Sequence, residues 1–458
     1  MADFVLADYL KDKQLKATTM TEDGGGGKEG SLADARMRVR AAISARHREI
    51  YLGNKVNTDL LLHVVNDALA REVDLSFNTK AQLRQEILTN ARGVGPILAP
   101  YLDDPEVTEL RVIQGRKLLV VRYGKGGYEE EPENTWFADE EELLQTIIHL
   151  FQHRGRSITT ERPCRTVKLD DGSRVAAAIP PAVLHPMLVI RKPPDPRRAV
   201  TVDQLLAWGA MSEPEAFWLE YCGRVKLNVV ITGPMNAGKT TLIRAIGRGI
   251  PEDEMVATIE DTLEIDFPRD RLDQMEAVAV FGEGAQPVTM HDLFVFSLRG
   301  SYSRVIQGEA RENVEGMDYV QTSLSGQGGN LTSVHADGPV EVLKRLAIMV
   351  TGATNIPFNQ AVGLVTSAVD VIVHAYYYPD NSRKVASISC LARDVYSAQE
   401  IEGALQPLFR FESTGRDPDG KILGEHRQVG VLPERVVDKL RRRGYDIPEW
   451  LLRREVDA

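Results

Sequence analysis

The apolar, β-branched run Val229-Val-Ile-Thr232 stops at Gly233, and after four intervening residues Gly238-Lys239-Thr240 opens a stretch of helix-forming residues. This is the order strand, phosphate-binding loop, helix. Gly233 and Gly238 let the backbone turn tightly enough for successive N–H groups to point inward at phosphate oxygens. Lys239 is placed to reach the β- and γ-phosphates, and the Thr240 hydroxyl to ligate Mg²⁺. The new helix directs its positive dipole end at the same anion. A glycine-bearing turn with a solubilising lysine is the plain alternative, and the flanking strand and helix argue against it. The pattern predicts nucleoside triphosphate binding through Gly233, Asn236, Ala237, Gly238, Lys239, Thr240 and Thr241.

The rest of the composition narrows the class. With 458 residues there is room for two or three domains, and 43% hydrophobic with 26% charged residues is ordinary for a globular protein. A net charge of -11 argues against nonspecific nucleic-acid binding by the whole molecule, while leaving a local basic groove open. Cys164, Cys222 and Cys390 are widely spaced and odd in number, so they build neither a disulfide framework nor a four-cysteine zinc site. The start Met-Ala-Asp-Phe has no basic region or long apolar run, so no signal peptide is expected. The most apolar late stretch, Ala361 to Ala375, is short and carries Asp370, which argues against a membrane span. A protein of a reducing compartment is expected.

Along the chain, residues 1–30 end in Gly24 to Gly27 beside charged residues and read as a flexible extension. Residues 31–92 read as helical, with Leu60, Leu61, Val64, Val65 and Leu69 on one apolar face. Residues 93–192 change period. Glu109 to Ile113 and Lys117 to Arg122 read as strands about a Gln114-Gly115 turn, and Glu140 to Gln152 as an amphipathic helix. Thr166 to Leu169 and Arg174 to Ile179 form a second hairpin about Asp170-Asp-Gly-Ser173, and Met187 to Lys192 is a further strand. That mixture predicts a compact α+β domain. The proline-rich 193–200 reads as a stiff hinge, and 201–458 as an α/β domain with a mostly parallel sheet followed by a tail from Tyr376. The tail is expected to hold shorter strands and a basic helix from Pro433 to Arg454, whose run Lys439, Arg441, Arg442 and Arg443 reads as a solvated face.

A phosphate loop alone hydrolyses nothing; in-line attack needs a positioned water, Mg²⁺ and positive charge at the transition state. Val256 to Thr262 places Glu260 and Asp261 at the end of an expected strand, and Arg304 to Glu309 does the same for Glu309. The carboxyl ends of strands line the ligand crevice in such sheets, where carboxylates hold metal-bound water or accept its proton. Ordinary strand-end acids are the plain alternative for either cluster taken alone. Gly328 to Ala336 is a glycine turn running into a strand that ends at His335, a residue whose type alone leaves core packing and function both open.

Taken in order, the loop, Ile259-Glu-Asp-Thr-Leu-Glu264, Leu298-Arg299, Arg304-Val-Ile-Gln-Gly-Glu-Ala-Arg311 and Gly329-Asn-Leu-Thr-Ser-Val-His-Ala336 resemble the secretion ATPase superfamily of type II and type IV secretion and pilus assembly. In that family these segments are a Walker A loop, an Asp box, a Walker B motif and a His box. Pro96 to Leu110, Asp171 to Val175, Ile179-Pro-Pro181, Ile190-Arg-Lys192 and Leu408 to Gly415 with Asp419-Gly420 look like the tight-adherence pilus subgroup (CpaF/TadA-like). The resemblance spans residues 90–435. It implies a RecA-like P-loop NTPase motor preceded by a smaller α+β, PAS-like N-terminal domain. It also implies ATP and Mg²⁺ as ligands, a homohexameric ring, and a cytoplasmic place at the inner face of the cell membrane beside inner-membrane platform proteins. No direct nucleic-acid contact is expected. By the same resemblance Glu260 orients or deprotonates the attacking water, Glu309 holds the Mg²⁺–water network with Thr240, and His335 senses the γ-phosphate. Arg174 and Arg191 would meet phosphate across a subunit boundary, with Arg299 a weaker candidate.

The sequence departs from the family in three places. The loop reads Gly-Pro-Met-Asn-Ala-Gly-Lys-Thr where the family usually has Gly-Thr-Gly-Ser-Gly-Lys-Thr, and Pro234 removes one N–H while fixing φ. Tyr302-Ser303 and Gln307 replace usual residues around the Walker B strand. Two other readings stay open: a related ring ATPase of conjugative DNA transfer, and a nucleotide-gated scaffold with little turnover.

Overall fold

The computed structural model describes residues 93–123, 125, 127–193, 195, 200–278 and 286–453, with parts of 35–84. The extension expected at 1–30, and much of the 193–200 linker, lie outside the described residues. The chain divides into two compact units, Met1–Lys192 and Pro193–Ala458.

In the first unit, helix α1 (Thr58–Ala70) buries Leu61, Val64, Val65 and Leu69, the spacing that puts one stripe against a core. A two-residue ladder also pairs Tyr51–Leu52 with Lys55–Val56, so the 31–92 stretch is not wholly helical. After α2 (Gly95–Asp103) comes an antiparallel sheet of six strands. These are β1 (Val107–Ile113), β2 (Lys117–Arg122), β3 (Glu129–Glu130), β4 (Cys164–Lys168), β5 (Arg174–Ala178) and β6 (Met187–Arg191), in the order β3-β2-β1-β6-β5-β4. Gln114 and Gly115, with φ of 51° and 71°, make a left-handed turn closed by Arg116 N donating to the Ile113 carbonyl at 3.2 Å, within a three-residue loop that joins β1 to β2. Helix α3 (Glu140–Gln152) is capped by Asp139, whose carboxylate accepts from Glu142 N at 2.9 Å. Its Leu143, Ile147, Leu150 and Phe151 join the sheet's buried face.

In the second unit, α4 (Val202–Ala207) and α5 (Glu213–Arg224) each begin with a capping box, at Thr201 and Ser212. A nine-stranded sheet follows. Its strands are β7 (Val229–Thr232), β8 (Val256–Glu260), β9 (Leu272–Glu276), β10 (Arg304–Gln307), β11 (Leu331–Val334), β12 (Val371–Tyr377), β13 (Arg383–Leu391), β14 (Leu405–Arg416) and β15 (Ile422–Gln428). The order is β9-β8-β10-β11-β7-β12-β13-β14-β15. The first six run parallel and the last three are added antiparallel. Helices interleave: α6 (Lys239–Gly247), α7 (Met290–Ser297), α8 (Asn313–Leu324), α9 (Pro339–Ala353) and α10 (Phe358–Ala368). Both faces of the sheet are covered. Val229 and Ile231 of β7 point into the core shared with α5 and α6, and Val230 into the one shared with α8, α9 and α10.

The tail differs from expectation. β14 is 12 residues long and continues the main sheet, so the stretch after Tyr376 builds the domain instead of trailing from it. Helix α11 spans only Glu434–Arg442, because Gly444 turns left-handed (φ 77°) and Pro448 opens a separate 3-10 turn. Cys222 and Cys390 are buried free thiols and Cys164 is exposed. Among the described residues no helix is long and apolar enough to cross a membrane.

One buried charge secures the start of β10. Arg304 is fully buried, donates to both Glu254 oxygens at 2.6 and 3.0 Å, and donates to the Gly223 carbonyl. Burial would raise the Glu254 carboxyl, but the Arg304 bonds and charge, with Lys226 at 3.3 Å, outweigh it and hold it below its ordinary value. Arg304→Ala strands that carboxylate in a half-dry site, with Lys226 as its remaining cation. It is expected to cost about 3 kcal/mol, the low end for breaking a buried pair, read as a lower denaturation midpoint.

Candidate functional site

Four strand ends meet in one crevice because β8, β10, β11 and β7 are neighbours running the same way. Past β7 the loop is shaped by three left-handed positions: Gly233 (φ 146°), Asn236 (φ 62°) and Gly238 (φ 90°). A Cβ on Gly233 would lie 2.1 Å from the Ala375 carbonyl oxygen, so only glycine fits where β7 leaves the sheet beside β12. Asparagine tolerates the left-handed region better than most residues, which suits Asn236 to this turn of the loop. Pro234 contributes its carbonyl, accepting from Ala237 N at 3.4 Å.

Gly238 caps α6 without any side-chain hydrogen bond. The first amides of a helix have no intrahelical acceptor, so those at Lys239, Thr240 and Thr241 are donors available to an anion. Lys239 is 8% exposed, and its ammonium donates to Gly233 O at 3.1 Å, Pro234 O at 3.0 Å and His335 Nδ1 at 3.0 Å. Burial brings its pKa down to about 8, against the opposing pull of Glu309; Arg311 adds to the lowering. The Thr240 hydroxyl stands 3.5 Å from a Glu264 carboxylate oxygen.

At the end of β8, Glu260 is 3% exposed. Its Oε1 accepts from the backbone amides of Glu264 (3.0 Å) and Ile265 (2.9 Å), while Oε2 is buried without a partner. Burial pushes this carboxyl up to about 7 despite those two amides, with nearby Glu264 adding to the rise and Arg244 opposing it. A carboxylate fixed at one oxygen, bare at the other and titrating near neutrality is suited to take a proton from water.

Beyond β10 and β11 a chain of contacts runs through the site. Lys239 Nζ lies 3.0 Å from His335 Nδ1, which also faces the Gly233 carbonyl at 3.2 Å, while His335 Nε2 faces Glu309 Oε1 at 2.8 Å. That approach has an ion pair's distance without a hydrogen bond's alignment, and Oε1 has no other partner. Glu309 Oε2 takes Arg311 Nη2 at 2.9 Å, and Arg311 Nη1 reaches Asp261 at 2.9 Å. Burial and the Lys239 charge lower the His335 pKa, so the ring is neutral at pH 7.

An oxygen-rich set of Thr240, Glu264 and Glu309 suits Mg²⁺ chemically. Among the described residues no group of three or more His, Cys, Asp or Glu side chains could hold a metal alone. Such an ion would therefore be shared with phosphate oxygens and water, as Mg²⁺ usually is.

Gly233, Asn236, Ala237, Gly238, Lys239, Thr240, Thr241, Glu260, Glu309 and His335 thus share one crevice. Arg174 and Arg191 belong to the first unit, directly opposite each other on β5 and β6. Arg299 is exposed in the turn between α7 and β10, at the edge of the sheet away from the crevice. Sequence reasoning gave no role to Arg311 or Glu264, although both stood inside the motifs it singled out. Arg383 had no signal at all. It comes from β13, donates to Asn236 O at 2.7 Å and lies over the Tyr377 ring at 5.1 Å, so sheet pairing 147 residues away completes the loop's support.

Residues 130–376, which include every crevice residue, match the family described as type II/IV secretion system protein. A probable conjugal transfer protein TrbB of Sinorhizobium fredii is 28% identical over 68% of this chain and 90% of its own length. The type IV secretion system protein VirB11 of Brucella suis is 28% identical over 61% of this chain and 83% of its own. Among solved structures, the VirB11 ATPase of the Brucella suis type IV secretion system in complex with sulphate is 25% identical at a TM-score of 0.33, covering 64% of this chain and 94% of that one. With more than half of its length matched and the crevice inside the match, this chain belongs to the type II/IV secretion system protein family.

Proposed function

We propose that this protein is an ATP-hydrolysing motor of a pilus assembly or type II/IV secretion apparatus. The observation that carries the reading is Glu260, anchored through Oε1 by two amides and bare at a buried Oε2, in the crevice that holds the loop lysine. In this reading the amides from Gly238 to Thr241 hold the phosphates and Lys239 turns from the loop carbonyls to the β- and γ-phosphates. Glu260 takes the proton of the attacking water, and His335 reads the γ-phosphate through its contact with Lys239. Bound Mg²⁺, placed by Thr240 and reached through water by Glu309, would neutralise charge building on the phosphate oxygens. Arg174 and Arg191 supply positive charge from a neighbouring subunit.

The finer reading is a RecA-like motor with a PAS-like N-terminal domain. It works as a homohexamer at the inner face of the cell membrane beside platform proteins, in the tight-adherence pilus subgroup. Each turnover would be coupled to movement of the N-terminal unit. The motif order and the segments from Pro96 to Lys192 support it.

Glu309→Gln tests the proposal. ATP binding, followed with a fluorescent analogue, is expected to persist while phosphate release falls at least tenfold. Undiminished release would overturn the reading. A scaffold without turnover predicts no phosphate release from the wild type either. The kinship with a probable conjugal transfer protein favours a second reading, a ring ATPase of DNA transfer. Salt-dependent DNA binding by the purified protein would favour that one over the pilus motor.

A further inference from the structure

A second cluster of charge lies at the opposite edge of the sheet from the crevice. Asp370 directly precedes β12, and Val225 and Lys226 precede β7, so this is the amino-terminal edge of the parallel strands. There a cleft of about 380 Å³ is lined by Asp370, Arg435, Lys439, Arg442 and Arg443. That volume is within the usual range for a small-molecule site.

Its charges do not balance internally. Lys439 pairs with buried Asp370, and Arg435 pairs with Asp394 at 2.6 Å. Arg442 donates to the Asp438 carbonyl (3.3 Å), and Arg443 to the carbonyls of Val225 (3.3 Å) and Lys226 (2.7 Å). The cleft is therefore lined by one carboxylate and four cations, with Asp394 reaching Arg435 from outside the lining. The run read from sequence as a solvated face is in fact split, with Arg441 outside the cleft and three of its members lining it. Burial, with Arg443 and Arg435 as like-charged neighbours, lowers the Lys439 pKa against the opposing pull of Asp370.

The dipole of α11 accounts for cations in its last turn, but not for Arg435 in its first, where a positive charge is disfavoured. Arg435, Lys439, Arg442 and Arg443 have one thing in common, the cleft they line. Arginine forks match the oxygens of phosphate and of carboxylate, and four cations gathered on one cleft suit the higher charge of phosphate. The helix lies outside the matched 130–376 stretch.

We propose that this cleft is a second anion site, binding a phosphate-bearing group through Arg435, Lys439, Arg442 and Arg443. The phosphate belongs either to a lipid headgroup or to a soluble phosphorylated molecule. Site and crevice sit at opposite ends of the same strands, so occupancy of one does not block the other.

The full-length protein, with saturating ADP to fill the loop site, is titrated calorimetrically with inorganic pyrophosphate. It is also floated with vesicles of phosphatidylglycerol or of phosphatidylcholine. Arg442→Glu is the test variant, because Arg442 is exposed and bonds only its own helix. Arg441→Glu is the control, with the same charge change on the same helix outside the cleft. Binding to pyrophosphate or to phosphatidylglycerol is expected, weakened about tenfold or more by Arg442→Glu and far less by Arg441→Glu. Binding to pyrophosphate identifies a soluble ligand, and binding to phosphatidylglycerol vesicles alone identifies a headgroup. Equal effects of the two variants, or wild-type binding to neither probe, would overturn the proposal.

Discussion

Glu260→Gln is expected to lower kcat by about 10²- to 10⁴-fold while ATP binding persists. The amide keeps the side chain's size and can still present an oxygen to the Glu264 and Ile265 amides, but it cannot accept a proton at the second position. The pH profile separates this from a merely structural loss. With Glu260 raised to about 7 and Lys239 lowered to about 8, kcat/KM of the wild type should be bell-shaped. It rises through about pH 7 as Glu260 loses its proton, and falls above about pH 8 as Lys239 loses its charge. The acid limb should vanish in Glu260→Gln and the basic limb remain. Stability moves the other way on the acid side. Between the ordinary carboxyl value of 4.5 and about 7 the native chain holds a proton that the unfolded chain releases, so folding weakens as pH climbs through that window. The variant should lose this slope as well. An acid limb unchanged in Glu260→Gln would remove Glu260 from the proton-accepting role.

Three crevice strands of the second unit's sheet were legible because each is a short run that ends at a chemically marked residue. Val229 to Thr232 runs into Gly233, Val256 to Ile259 into Glu260, and Leu331 to Val334 into His335. What brings those residues together is strand order, and no local pattern encodes that. The β8-β10-β11-β7 neighbourhood arises from crossover connections between parallel strands that are not consecutive in sequence. For the same reason Arg383 was invisible, since β13 reaches the loop only through antiparallel pairing with β12. Arg311 was hidden differently: an arginine two residues after a carboxylate looks like a surface charge until Glu309 and Asp261 are seen on either side of it. The tail was misjudged because β14 and β15 carry many polar residues. They pair at the edge of the sheet, where one face meets solvent and apolar runs are not needed.

Lys239→Ala is expected to weaken ATP binding by about 10²- to 10³-fold, the loss that follows removal of one partner from a desolvated charge pair. The same substitution should not destabilise the ligand-free protein. The native ammonium is held at about 8 by burial, well below its ordinary 10.5, so at pH 7 the folded chain bears the cost of a charge the unfolded chain solvates freely. By the sign of that shift, wild-type stability should rise as pH increases from about 8 to 10.5, and the alanine variant should lack the rise. Two of its acceptors, Pro234 O and His335 Nδ1, are only part-buried, so water can replace the ammonium there, while Gly233 O is buried. Thermal unfolding with and without ATP measures both effects. Wild type should gain about 2.7 kcal/mol at a hundredfold excess over Kd, and the variant almost nothing at the same concentration. An undiminished ATP-dependent shift in Lys239→Ala would mean that the loop's amides alone hold the phosphates. The lysine would then be a structural clamp on Gly233 and Pro234, and its loss would appear in the ligand-free melting temperature instead.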